Sequence, residues 1–250
     1  TRKEKNVGGG DHLRTLLLQP PIWKIPSPGE PHFPSAEGGD PAKTVEKIDG
    51  DSTVATYGLL SIAAQVLQSG RKALVCNISN FSWQKVENLI RAIDIDLVGI
   101  SCMTHNLRGV AAIVALIRKV HPTVHIVVGG SHSTALPVET LNHYQAIDTV
   151  VIGEGELTFL EIIERLESNK PVEGIAGTAW RDNQGRVQFG PVRARIQELD
   201  DLASPHDYFS LGILITSRGC PFRCTFCGSE SQRGSKLKMN SVEYILKLLE

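Results

Sequence analysis

The chain has 250 residues, 41% of them hydrophobic, which is enough for one large domain or two ordinary ones. Its 26 basic and 27 acidic side chains leave a formal charge of −1, which argues against a nucleic-acid stripe or a basic membrane face. No apolar run is long enough to span a bilayer and the start has no signal-peptide layout. Three of the five cysteines are clustered, which suits a reducing cytoplasm better than a disulfide framework.

Residues 1–10 are polar and Gly-rich and read as a disordered tail. From residue 11 to 168, strand-like and helix-like runs alternate. Leu13 to Leu18 is the first strand, stopped at Gln19-Pro20-Pro21 because proline cannot continue a ladder. Residues 24–52 are rich in Pro, Gly and charge and form a long loop. A helix over Thr56 to Ser69 carries Leu59, Leu60, Ile62, Ala63, Val66 and Leu67 on its apolar side and stops at Gly70. Next come a strand over Lys72 to Cys76, a helix over Trp83 to Ile93, and a strand over Asp96 to Ser101. A helix over Leu107 to Val120 ends before Pro122, and strands follow over Val124 to Val128 and Asp148 to Ile152. The last helix of the series spans Leu157 to Leu166.

Five strands alternating with helices predict a parallel sheet covered on both faces, a doubly wound flavodoxin- or Rossmann-like domain. Residues 169–210 break the pattern. They hold a β-hairpin around Asp182-Asn-Gln-Gly185 and a polar linker, which places a domain boundary there. Beyond it, Leu211 to Thr216 reads as a buried strand and Val242 to Leu249 as a helix.

The most specific motif is Cys220-Pro-Phe-Arg-Cys224-Thr-Phe-Cys227. A structural zinc site takes four ligands, usually as two pairs, and no second pair completes this set. A 4Fe–4S cube also takes four, so three thiolates would leave one iron open to something other than protein. In a doubly wound sheet, ligands bind beyond the carboxyl ends of the strands. Here those ends read Gln19-Pro-Pro21, Ser101-Cys-Met-Thr-His105, Gly129-Gly-Ser-His132 and Gly153-Glu-Gly-Glu156. Glycine lets backbone approach a ligand, and the hydroxyls of Ser101, Thr104 and Ser131 can meet amides or phosphates. No Gly-x-Gly-x-x-Gly follows the first strand and no Walker loop is present, which excludes the common nicotinamide and ATP fingerprints.

The cysteine loop, with Phe226 before its last cysteine and Gly228 after it, resembles that of the radical S-adenosylmethionine (SAM) superfamily. Together with Val-Gly-Gly-Ser-His132 and Val-Ile-Gly-Glu-Gly-Glu-x-Thr-Phe159 it resembles one subgroup, the cobalamin-binding radical SAM enzymes, mostly methyltransferases. The resemblance implies a cobalamin domain over residues 11–168, the hairpin and linker over 169–210, and the start of a radical SAM partial (β/α) barrel, apparently truncated, over 211–250. It implies a 4Fe–4S cluster on Cys220, Cys224 and Cys227, with SAM on the open iron beside Phe226 and Gly228. Cobalamin would lie over the strand ends, against Pro21, Ser101, Met103, Thr104, His105, Gly129, Gly130, Ser131, His132, Gly153, Glu154, Gly155 and Glu156. Two readings stay open for several of these: His105 and His132 either approach the cofactor or only order their loops, and Glu154 and Glu156 either bind it or cap the following helix.

The Asp-x-His-x-x-Gly of many cobalamin domains is missing at Gln19 to Trp23, so the resemblance implies no histidine below cobalt. The activity it implies is methyl transfer to an unactivated carbon of a small molecule or peptide, through a 5′-deoxyadenosyl radical and methylcobalamin. An electron donor of flavodoxin or ferredoxin type would serve the cluster, with no nucleic acid or membrane partner. Relatives use the same parts for ring formation or rearrangement. A non-catalytic cobalamin-binding module is the other class, and the three-thiol loop argues against it.

Overall fold

A computed structural model of the chain describes residues 13–20, 53–228 and 236–249. A seven-stranded sheet forms its frame, in the order β2-β1-β3-β4-β5-β6-β7. The strands are β1 (Thr15–Gln19), β2 (Ala73–Asn77), β3 (Leu97–Ser101), β4 (His125–Gly129), β5 (Thr149–Val151), β6 (Thr178–Arg181) and β7 (Val187–Phe189). The first five run parallel in the 2-1-3-4-5 order of flavodoxin-like folds. The hairpin β6–β7 extends the β5 edge antiparallel, so the sheet has two strands beyond the five read from the sequence.

Helices cover both faces: α1 (Thr53–Gln68), α2 (Trp83–Ala92), α3 (Leu107–Val120), α4 (Ser131–Ala135), α5 (Pro137–His143) and α6 (Glu156–Glu167). Strand side chains alternate, so each strand feeds both layers. Leu16, Leu18, Val98, Ile100, Ile126 and Val128 pack with Val86 and Ile90 of α2 and Ile113 and Ile117 of α3. Leu17, Leu97, Val127 and Val151 face the other way, against Leu59, Leu60 and Ala63 of α1 and Phe159 and Ile162 of α6. This second layer matters most for function, because a glycine, Gly99, interrupts its row of strand side chains.

Local chemistry sets the helix ends. The Ser82 hydroxyl caps α2 by accepting from the Lys85 amide at 3.3 Å. Pro137 opens α5 at a position where no amide is needed. The helices α4 and α5 were not legible in the sequence, since seven residues or fewer show no apolar period.

The predicted strand over Leu211 to Thr216 is not formed, and the segment is only half-buried or exposed. The strand here is β8 (Ser217–Arg218), paired with β9 (Lys238–Met239). Among the described residues β9 is the partner that meets this segment, and it does so two residues later than the apolar run. An extended run without a neighbour has no ladder to satisfy its amides. Helix α7 (Val242–Leu249) follows, as the sequence predicts, with Val242, Leu246 and Leu249 exposed.

Candidate functional site

A cavity of about 450 Å³ opens at the carboxyl ends of β1, β3, β4 and β5. Its deep end lies between the sheet and helices α1 and α6, lined by Leu17, Val127 and Val151 below and Ile62 and Phe159 above. Gly99 creates this depth. A Cβ there would lie 2.7 Å from Leu17 Cδ2 and 2.8 Å from Phe159 Cε2. The rim is polar and built from loops: Ser101 and Met103 after β3, Gly129 to Ser131 after β4, and Gly153 to Glu156 after β5. Tyr57 of α1 and Ile215, Ser217 and Arg218 close the remaining side.

The β3 and β4 loops fit together only because Gly130 has no side chain. It holds φ +108°, and a Cβ would stand 2.6 Å from the Cys102 carbonyl oxygen. That carbonyl accepts from the His132 amide at 3.1 Å, and the Cys102 amide donates to the Gly129 carbonyl at 2.7 Å. Asn106, fully buried, braces the β3 loop: its Oδ1 accepts from the Met103 amide at 2.8 Å and its Nδ2 donates to the Ser101 carbonyl at 3.2 Å. The Thr134 hydroxyl accepts from the Gly153 amide at 3.0 Å and joins the β4 and β5 loops.

Of the residues singled out in the sequence, Ser101, Met103, Gly129, Gly130, Ser131, Gly153, Glu154, Gly155 and Glu156 all line the cavity. Thr104, His105 and His132 do not. Thr104 Oγ1 and His132 Nδ1 are 3.1 Å apart and bond to each other, and His105 is exposed. Pro21 and Trp23 lie outside the described residues. Both carboxylates are already engaged. Glu154 accepts from the Ile196 amide at 2.9 Å, and Glu156 from the Ser61 hydroxyl at 3.0 Å and Arg218 Nη1 at 2.5 Å. Tyr57, beside them, has its hydroxyl pKa raised, first by burial, with Tyr244 adding and Arg218 opposing.

Tyr57, Gly99, Asn106 and Arg218 were not among the candidate site residues read from the sequence, and Phe159 entered only as the end of the motif that begins at Val151. Only Gly99 carried a local signal there, since glycine inside a strand marks a close approach of ligand or backbone.

The three clustered cysteines occupy the loop after β8. Cys220 is half-buried, and Cys224 and Cys227 are exposed and joined by a turn in which the Cys227 amide donates to the Cys224 carbonyl at 3.0 Å. Gly219, at φ +98°, starts the loop where a Cβ would collide with the Lys236 carbonyl. Among the described residues no three Cys, His, Asp or Glu side chains converge closely enough to hold a metal ion, so the thiols share a loop without meeting at one point. Their type and spacing are those expected of a three-thiolate cluster loop. Phe226, next to Cys227, is 90% exposed. Cys76 and Cys102 belong to the core, where burial pushes their thiols up to about 11 and about 12. An apolar slot beneath a rim of hydroxyls and backbone amides suits a ligand with a flat apolar end and a polar periphery, such as a corrinoid with its nucleotide tail.

The chain is similar to known proteins over these same parts. Residues 47–163 match the model of the B12 binding domain. The chain is 30% identical over 217 residues to an uncharacterized methyltransferase of Pyrococcus horikoshii, covering 82% of this chain and 47% of that protein. It is 28% identical over 162 residues to the cobalamin-dependent radical SAM methyltransferase TokK of Streptomyces tokunonensis, covering 57% of this chain and 23% of TokK. It is 28% identical over 193 residues to the anaerobic magnesium-protoporphyrin IX monomethyl ester cyclase of a Synechocystis strain, covering 71% of this chain and 38% of the cyclase. In fold it is similar to the radical SAM methyltransferase TsrM of Kitasatospora setae, solved with cobalamin and a [4Fe-4S] cluster, with a TM-score of 0.65 at 16% identity. That match covers 95% of this chain and 45% of TsrM. The chain thus spans about half, or less, of the length of these relatives.

Proposed function

We propose that this chain, which belongs to the cobalamin-binding radical SAM enzymes, contributes the corrinoid and iron–sulfur sites of a methyltransferase acting on an unactivated carbon of a small molecule or peptide. One observation carries the reading: the cavity at the strand ends is closed on one side by the segment that leads directly into Cys220. When bound, the cluster and SAM supply a 5′-deoxyadenosyl radical and the corrinoid supplies a methyl group.

The chain's own residues position these groups. The slot made by Gly99, Leu17, Val127 and Phe159 takes the apolar end of the corrinoid's tail. The hydroxyls of Ser101 and Ser131 and the backbone of Gly129, Gly130, Gly153 and Gly155 meet its polar edge. Met103 lies at the rim, where it would border the bound corrinoid. Thr104 and His132 hold the loops that carry these groups. Cys220, Cys224 and Cys227 ligate the cluster, and Phe226 and Gly228 flank SAM. A flavodoxin- or ferredoxin-type donor reduces the cluster in a reducing cytoplasm. Nucleic acid and membrane are not partners in this reading; among the described residues no helix is long and apolar enough to cross a membrane.

The Synechocystis cyclase relative supports a second reading, ring formation with the same cofactors. Protein purified without oxygen tests the shared part of both readings. It is expected to carry about four iron atoms and one corrinoid per chain, with brown 4Fe–4S absorbance. Replacing all three loop cysteines by Ala is expected to abolish the iron and leave the corrinoid. Full iron in that variant, or no corrinoid in the parent, overturns the corresponding assignment.

A further inference from the structure

The two carboxylates of the Gly153-Glu154-Gly155-Glu156 loop each meet a cation from the β8–β9 ribbon. Arg218 of β8 and Lys238 of β9 are direct partners in the antiparallel register. Arg218 Nη1 donates to Glu156 Oε1 at 2.5 Å and Nη2 to Ser61 Oγ at 3.0 Å, while the Ser61 hydroxyl donates to Glu156 Oε1 at 3.0 Å. The triangle joins α1, α6 and the ribbon. Lys238 Nζ stands 4.0 Å from Glu154 Oε2 and donates to the Ile196 carbonyl, whose own amide donates to Glu154. The side chains of Glu156, Lys238, Glu154 and Arg218 are 7%, 11%, 13% and 20% exposed. Charges this far from water are costly when left unpaired, so removing one partner is felt by the other. All three clustered cysteines lie in the stretch between the two anchored strands.

We propose that this loop is a two-pronged electrostatic socket for the β8–β9 ribbon, and that docking the ribbon in it fixes the cysteine loop beside the cavity. Glu154, Glu156, Arg218 and Lys238 are then positioning residues, held by one another and not by either cofactor. The socket accounts for both glutamates at that strand end. Their carboxylates face cations of the chain itself, and the one glycine between them, Gly155, lets the backbone pass close to α1, where a Cβ would press on Ile62 Cδ1 at 3.1 Å. Asp200 adds a third hold just past β9, accepting from Asn240 Nδ2 at 2.9 Å and the Ser241 amide at 3.2 Å.

Hydrogen–deuterium exchange on the anaerobically purified protein tests the socket, in Glu156→Gln, Arg218→Met and the double variant. Peptides over residues 213–228 and 236–245 are expected to exchange about tenfold faster in each single variant, and no faster still in the double, because both changes remove one interaction. Peptides of β1, β3 and β4 should keep parental rates. Parental exchange in the ribbon, or single effects that multiply in the double variant, overturns the proposal. If Arg218→Met loosens the core as well, Glu154→Gln and Lys238→Met run the same cycle at the other prong, with the same two outcomes. Corrinoid absorbance is recorded on every sample. A parent without corrinoid counts against the proposed function and leaves the exchange result on the socket standing.

Discussion

Five thiols of one chemical type divide into two classes by environment alone. Cys76 and Cys102 lie in the core, where burial pushes their pKa values up to about 11 and about 12. The thiolate is the reactive form, so these two stay inert near neutrality. Native protein stripped of iron is therefore expected to take up iodoacetamide at Cys220, Cys224 and Cys227 within minutes at about pH 8, and at all five only in urea. Peptide mass spectrometry reads the pattern, and rapid native labelling of Cys102 would contradict it. His125 shows the same physics with opposite charge. Burial lowers its ring pKa below the ordinary 6.5, with Arg118 adding and Asp148 opposing, while Nε2 bonds Thr149 Oγ1 at 3.0 Å. The unfolded chain then binds a proton that the folded chain does not. Stability is complete above pH 6.5 and falls as pH drops through that value. The parent is expected to lose more melting temperature between about pH 7.5 and about pH 5.5 than a His125→Gln variant does. Equal losses would exclude His125 as a source of the acid sensitivity.

At the scale of elements, legibility followed locality. The buried strands announce themselves as short apolar runs, Leu16 to Leu18 and Ile126 to Val128, and α3 by its apolar period. The cysteine loop is legible for the same reason, since its whole signal fits in eight residues. Leu211 to Thr216 looks equally apolar, yet its fate depends on a partner strand more than twenty residues away. The pair Glu156–Arg218 joins residues 62 positions apart, and no local pattern marks it. Gly99 is intermediate: visible as a glycine inside a strand, but decisive only once Leu17 and Phe159 are seen on either side. Gly99→Ala is expected to narrow the slot from within. Overpacking of this kind costs about 1–3 kcal/mol, which a domain of this size tolerates. Cobalt content should fall at least about tenfold while the urea midpoint shifts by no more than that cost implies. Full cobalt in a folded Gly99→Ala protein would show that the corrinoid's tail does not enter between the sheet and α6.

For the molecule as a whole, the arrangement of the two sites constrains the chemistry without choosing the bond that is made. The slot and the cysteine loop are neighbours because Arg218 belongs to both, lining the cavity and standing two residues before Cys220. A methyltransferase and a cyclase both need that neighbourhood, and relatives of both kinds match the chain at 28% identity. What separates them is the fate of the SAM methyl group. A protein containing this chain, given methyl-labelled SAM, a reductant and its substrate, is expected to form S-adenosylhomocysteine and 5′-deoxyadenosine in near-equal amounts, with label in the product. One SAM then yields the methyl group and another the radical. If 5′-deoxyadenosine forms without S-adenosylhomocysteine and the product carries no label, methyl transfer is wrong and ring formation or rearrangement takes its place. The Cys220–Cys224–Cys227 assignment survives either result, because both outcomes need the radical, whereas the methyl label alone reports whether the corrinoid over the strand ends carries the transferred group.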